Sequence, residues 1–180
     1  LLLPAGSIYA QLPIGIEIYD ANGVLRSIND YALRMYGVKD KNTVVNIVNL
    51  FKSPYVDEEL LRKIKNGEDI NLEFEYDFDR IKQDAYYESS NQKSMIYDVQ
   101  IIPVRNKEDI IIGHILRTND MTALKEAEFR SKESQKNLEM AMETAGMSTW
   151  VYNIYKKTVS PLYGDTIIKE TSTLEKMLDM

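Results

Sequence analysis

Asp109-Ile110-Ile111-Ile112-Gly113-His114-Ile115-Leu116-Arg117, then Asn119-Asp120-Met121-Thr122, then Ala123-Leu124-Lys125-Glu126-Ala127-Glu128, is the stretch on which the fold turns. The first part is a short isoleucine-rich run bounded by charged residues, which predicts a buried strand rather than a helix. The last part consists of strong helix formers. Asp120 or Thr122 can accept hydrogen bonds from the orphan N–H groups of that helix's first turn. A central strand thus feeds a long helix through a polar hinge over 119–122.

Upstream, Ile14-Gly15-Ile16-Glu17-Ile18-Tyr19 alternates as a strand with Ile14, Ile16 and Ile18 expected inward. Asp20-Ala21-Asn22-Gly23 follows, and Asn-Gly between apolar runs is a strong hairpin signal. Val24–Ile28 is the returning strand. Asn29 suits the N-cap of a short helix over Asp30–Tyr36, closed by Gly37 in the left-handed region. One helical turn is expected within Asn42–Phe51. Ser53-Pro54 is expected to cap a helix carrying Val56, Leu60, Leu61 and Ile64 and ending at Asn66-Gly67. Leu72, Phe74, Tyr76 and Phe78 then alternate with Glu73, Glu75, Asp77 and Asp79, which predicts a strand with one packed and one acidic face. Arg80–Lys93, with Tyr86 and Tyr87, reads as a long, partly extended connection. Ser94–Val104 is a further strand, and Asn106–Asp109 turns it back into the opening stretch. Two strands, short helices and three more strands amount to an α+β fold, an antiparallel sheet with helices on one face.

Composition narrows the function. The net charge of −6 makes a sequence-independent grip on nucleic acid an unfavourable proposition, so no nucleic-acid partner is expected. The chain has no cysteine, which excludes disulfides, thiolate metal sites and thiol nucleophiles. Nothing approaches the roughly 20-residue apolar span of a membrane helix, and Leu1-Leu2-Leu3 is too short for a signal peptide core. A start at Leu1 and a close inside an apolar pattern (Leu174, Met177, Leu178) suggest a piece of a longer protein. The sequence has no Gly-rich phosphate loop, no nucleophile elbow and no metal-spaced histidine pair. Asp57-Glu58-Glu59 reads as a helix start where acids favour the dipole. Asp77 and Asp79 read as solvated surface, so no catalytic residue and no metal ligand is expected.

The order of motifs resembles the PAS domain family. The resemblance rests on Leu12-Pro13-Ile14-Gly15-Ile16, the Asp20–Gly23 turn, Asn29 opening the first helix, and Tyr36-Gly37. It also rests on Pro103 with Gly113 ten residues on, and on Asp120-Met121-Thr122, which looks like the family's terminal Asp-Ile-Thr. It implies a five-stranded sheet of order 2-1-5-4-3 with helices cradling a small cavity. Candidate lining residues are then Ile16, Ile18, Leu33, Leu61, Leu72, Phe74, Tyr76 and His114, with Asp120 and Thr122 as the hinge that transmits a signal. The acidic strand leading into Tyr86-Tyr87 is similar to PAS domains of hybrid two-component sensor histidine kinases. The match restarts at Asn137–Trp150, with Trp150–Ile154 as a first strand, Lys156-Lys157 as its turn and Val159 onward as a second strand. The expected organisation is therefore a PAS sensor domain over 1–122, a signalling helix over 123–146 and the truncated start of a second PAS domain over 147–180.

The resemblance also frames the cofactors and partners. His114 is the only histidine. His114-Ile115-Leu116-Arg117-Thr118 lacks the acidic residue and the proline of a histidine-kinase phosphoacceptor box, and it lies in a strand. A histidine facing a polar partner or the cavity is the preferred reading. Asp57–Lys65 offers no helix histidine for haem, and no thiol exists for a flavin photoadduct, so neither cofactor is expected and any small-molecule ligand is left open. Leu124, Ala127, Ser131, Ser134, Leu138, Ala141 and Ala145 step by three and four, a seam over about three heptads. It predicts a homodimer through the helix, the PAS surface, or both. Downstream PAS and kinase domains of the same chain are the other expected partners. The function implied is a cytoplasmic sensory module of a sensor histidine kinase, without enzymatic chemistry of its own. The alternatives are a ligand-free scaffold for dimerisation or a module of a transcription regulator or cyclic-dinucleotide enzyme. The tail is expected to pair with its own sheet or a neighbouring chain, with Trp150 buried.

Overall fold

Alternating apolar and polar residues set five strands side by side in one antiparallel sheet: β1 (Gly15–Asp20), β2 (Leu25–Ile28), β3 (Ile70–Tyr76), β4 (Met95–Arg105) and β5 (Ile111–Asp120). Their order is β2-β1-β5-β4-β3, as the resemblance implies. The computed structural model describes residues 12–145, 147, 149–163 and 172–173. The chain divides into two units, the first reaching Lys125 and the second starting at Glu126.

The isoleucine-rich stretch is the central strand β5. It pairs with β1 from Gly15↔Thr118 to Asp20↔Gly113, and with β4 from Tyr97↔Asp120 to Arg105↔Ile111. Gly113 is buried, and a Cβ there would overlap the Tyr19 carbonyl oxygen, so the β1–β5 approach leaves no room for a side chain.

β1 corrects the expected sense of alternation. Gly15, Glu17 and Tyr19 face the interior, while Ile16 is half-buried and Ile18 is 37% exposed. A strand's side chains change face with every residue, so parity decides everything here. The fixing point is Gly15, whose missing Cβ leaves space for Met35 and Ala32. These belong to α1 (Asp30–Met35), which crosses the sheet at that position.

The Asn29 side chain caps α1 by accepting from the Ala32 N–H at 2.9 Å, and Gly37 takes φ 67° as expected. Two 3₁₀ turns, Lys41–Thr43 and Leu50–Lys52, stand where one turn was expected, capped by Asp40 and Asn49. Helix α2 (Glu58–Asn66) starts later than Ser53-Pro54 suggests. Asp57 caps it, accepting from the Leu60 N–H at 2.8 Å, and two glutamates favour its first turn. β3 stops at Tyr76 instead of running on through Phe78. Asp77 caps a helix α3 (Phe78–Gln83) inside the stretch expected to be extended. Phe78 and Ile81, three residues apart, are both fully buried, which a helix allows and an alternating strand does not.

Helix α4 spans Thr122–Thr144 and crosses the division between the units. In the second unit β6 (Thr149–Asn153), β7 (Thr158–Tyr163) and β8 (Ser172–Thr173) form their own antiparallel sheet in the order β6-β7-β8. Trp150, expected to be buried on its own sheet or a neighbouring chain, is 57% exposed within this one chain, and the tail's described strands pair with one another. Leu174, Met177 and Leu178 lie outside the described residues. Among the described residues, no helix is long and apolar enough to cross a membrane.

Candidate functional site

A cavity of about 80 Å³ lies in the first unit, walled by all five strands of the sheet and by the helical segments. Much of its wall is aliphatic, but tyrosine gives it its character. Tyr36 follows α1, Tyr76 ends β3, Tyr97 starts β4, and Tyr87 comes from the segment after α3. Tyr36 sits 5.7 Å from Tyr76 and 5.8 Å from Tyr97, centroid to centroid, and Tyr76 stands 5.3 Å from Tyr97. Tyr55 stacks on Tyr76 at 4.8 Å and tilts against Phe74 at 5.0 Å.

Buried phenols need partners, and most of these have them. Tyr97 donates to the Met35 carbonyl at 3.0 Å and Tyr86 to the Asn49 carbonyl at 2.8 Å. The Tyr36 and Thr118 hydroxyls meet at 3.0 Å, and those of Tyr76 and Tyr87 at 2.9 Å. Burial pushes all these tyrosines up from their ordinary pKa, so they stay neutral at any ordinary pH.

Glu17 is the exception in this apolar wall. It is 5% exposed and lines the cavity. The Tyr19 hydroxyl donates to its Oε2, and the Tyr36 hydroxyl also lies beside the carboxylate, but no hydrogen bond of ordinary length reaches Oε1. Burial raises its pKa from the ordinary value, outweighing the opposing help of the Tyr19 and Tyr36 hydroxyls. Among the described residues, no lysine, arginine or histidine shares the cavity wall. A buried carboxylate with an unused acceptor is costly unless something else reaches it.

Of the residues expected to line the cavity, Leu72, Phe74 and Tyr76 do so. Ile16 and Ile18 are on the other face of β1, and Leu33 and Leu61 sit half-buried away from the cavity. His114 is buried against α2 instead. Its Nε2 meets the Ile64 carbonyl at 3.3 Å, which only an Nε2–H can do favourably, and its ring stands edge-on to Phe51 at 5.8 Å. Glu17, Tyr19, Tyr36, Tyr86, Tyr87 and Tyr97 escaped the sequence reading of the site. Gly15, Glu17 and Tyr19 share one parity, and that was the available clue.

The exit from the sheet is shorter than expected. β5 runs through Asp120 and α4 starts at Thr122, so Met121 alone separates them. Asp120 Oδ1 accepts from the Thr122 N–H at 2.9 Å, the role foreseen for it. The Thr122 hydroxyl instead accepts from the Ile96 N–H at 2.9 Å, and the Met121 N–H donates to the Ile96 carbonyl at 2.8 Å. Both bonds fasten the start of α4 to β4, the strand that also carries Tyr97 and Val99 of the cavity wall.

A family model described as a PAS domain matches residues 13–123. Among solved structures, the chain is similar to an RNA-binding light-oxygen-voltage receptor, with 16% identity and a TM-score of 0.55, covering 79% of this chain and 41% of that one. It is similar to the VqmA dimer of Vibrio cholerae (17% identity, TM-score 0.48, 69% of this chain and 53% of that one). It also resembles the LOV domain from the blue-light activated histidine kinase of Erythrobacter litoralis EL346 (16% identity, TM-score 0.45, 62% of this chain and 99% of that one). At such identities the likeness is one of fold. The chain spans 41% of the length of the light-oxygen-voltage receptor. No curated protein matches its sequence.

Proposed function

The chain belongs to the PAS domain family, and from that premise we propose that it senses a small molecule held in the first unit's cavity. The observation that carries this reading is Glu17, buried on the cavity wall with Oε1 unpaired. A protein interior rarely leaves such an acceptor without use. The cavity of about 80 Å³ is well below the 300–1,000 Å³ of drug-sized sites, so the ligand is compact. A haem or flavin is not part of the proposal: the volume is too small for either ring system, and the chain has no thiol for a flavin adduct.

The parent protein on this proposal is a cytoplasmic two-component sensor histidine kinase, in which α4 carries the signal onward and the strands from Thr149 open a second PAS domain. Homodimerisation through α4 or the PAS surface accompanies it. Support comes from the two bonds linking α4 to β4 and from the exposure of the seam residues Leu124 and Leu138. Catalysis is assigned to other domains of the parent. A second reading, a scaffold with no ligand, draws on the modest cavity volume; modules of a transcription regulator or a cyclic-dinucleotide enzyme are further variants. Native mass spectrometry of freshly purified protein tests the proposal. A co-purified small molecule, lost on denaturation and absent from a Val99→Phe variant with the cavity filled, supports sensing. Identical ligand-free spectra for both, with no stabilisation of the parent chain by a metabolite panel, would favour the scaffold.

A further inference from the structure

The geometry points to a small organic ammonium ion as the class of molecule that this cavity takes, with Glu17 as its counter-charge and the surrounding tyrosine rings as its walls. The inference rests on the reading of the cavity as a ligand site and gives that ligand a charge.

Three independent observations lead there. The first is polarity. Among the described residues, Glu17 is the only charged side chain on the cavity wall, and its Oε1 has no hydrogen bond of ordinary length. An ionised carboxylate only accepts hydrogen bonds, so it calls for a donor. The groups that face it are the phenols of Tyr19, Tyr36, Tyr76, Tyr86, Tyr87 and Tyr97, with Thr118 behind Tyr36. All are neutral, so among the described residues no cationic side chain lines the cavity beside the carboxylate.

The second is the aromatic wall. Cations favour the faces of tyrosine rings, and more so where water is excluded. The rings of Tyr36, Tyr55, Tyr76 and Tyr97 are gathered within a few ångströms of one another around the same cavity. Tyr55 already has the Arg80 guanidinium over it at 4.8 Å.

The third is the approach. A surface groove of about 460 Å³ shares Tyr55, Leu60, Leu72 and Phe74 with the cavity wall. Its other lining residues are Asp57, Glu59, Glu73 and Glu75, with Lys63 the one basic member. Lys63 pairs with Glu59 and Lys125 with Glu73, so the groove keeps a net negative charge. A cleft lined by one sign of charge concentrates ions of the other. The acidic residues of this groove thus concentrate cations beside Tyr55, Leu60, Leu72 and Phe74, the side chains it shares with the cavity wall.

Proton balance gives the class a signature. Burial raises the Glu17 pKa from its ordinary value and so favours the protonated form where no cation stands beside it. When an alkylammonium arrives with its own proton, it needs the ionised carboxylate, and Glu17 releases its proton to solvent. Affinity for the ammonium ion therefore rises with pH until Glu17 is ionised without it, then levels off. A neutral ligand of the same shape shows no such rise.

The test uses n-propylammonium and n-propanol, matched in size, with binding to the 180-residue chain followed by chemical-shift titration. Propylammonium is expected to bind on the order of tenfold more tightly than propanol, the factor expected of a charged hydrogen bond. Its affinity should climb as pH rises above the ordinary carboxylate value of 4.5 and level off once Glu17 is ionised on its own. Glu17→Gln should abolish both the preference and the pH rise while still admitting propanol. The pH profile of the unaltered protein stands even where the variant fails to fold. Propanol binding as well as or better than propylammonium overturns the cationic class but leaves a sensing cavity in place. Binding of neither probe overturns both readings, and a pH-independent affinity for propylammonium removes Glu17 from the site.

Discussion

Thr122→Val isolates the bond that fastens the signalling helix to the sheet. Valine keeps the branched shape and has nearly the same helix propensity as threonine, so the change amounts to one hydroxyl. That hydroxyl accepts from the Ile96 N–H at 2.9 Å and lies 3.5 Å from Met95 Sδ. Without it the partly buried Ile96 amide has lost its acceptor, which costs about 1–2 kcal/mol. With a urea dependence of about 1–1.5 kcal/mol/M for a unit of this size, the midpoint should fall by roughly 1 M at unchanged slope. Hydrogen exchange should quicken at Ile96 and along the first turn of α4, with little change at Tyr97. Thr144→Val is the control, since its hydroxyl bonds the Met140 carbonyl on an exposed turn and its removal should stay within about 0.5 kcal/mol. Equal midpoints for the two variants, with Ile96 protected as before, would refute the idea that this bond couples α4 to β4.

Three further outcomes are expected. Gly113→Ala should cost about 2–3 kcal/mol, because the new methyl overlaps the Tyr19 carbonyl, a backbone atom; Gly15→Ala, which meets the movable Met35 side chain, should cost less, and thermal melts showing the reverse would count against the β1–β5 packing. Because burial raises Glu17 in the folded state, the native protein holds a proton that the unfolded chain has released above its ordinary value of 4.5. Stability should therefore fall as pH rises from there through the raised value, and Glu17→Gln should flatten that fall in denaturant melts taken across pH. Ser131→Leu with Ser134→Leu should tighten self-association, at about 1.5–3 kcal/mol for each leucine buried. Sedimentation equilibrium showing no tightening would mean that this seam meets no partner helix.

The strand order and the helix that leaves β5 were legible because they depend on patterns that survive in a single chain. These are isoleucine runs, an Asn-Gly turn, and Asn29 and Gly37 at the ends of α1. The face of β1 was not legible. Hydrophobicity puts Ile16 and Ile18 inside, yet packing of α1 over Gly15 puts Glu17 and Tyr19 there, and that contact joins residues far apart in sequence. The site was lost with it, since its charged group is Glu17. Three of the proposed lining residues, Leu72, Phe74 and Tyr76, come from β3, where acidic residues on the opposite face left no ambiguity. Helix α3 was hidden because Phe78 continues the alternation of β3 by one more step, and only Ile81 three residues on betrays the change of period.

The same acidic face of β3 bears on how copies of the protein can meet. β3 and β2 are the edges of the sheet, and open edges invite a further strand. β2 is only four residues long. Along β3, Glu73 and Glu75 are exposed, so a second β3 laid antiparallel beside it would set carboxylate against carboxylate, which disfavours the pairing. Self-assembly by extending this sheet is thereby discouraged at both ends. Copies that meet are steered to side-chain contacts, and the backbone ladder of β1, β5 and β4 stays paired within its own chain.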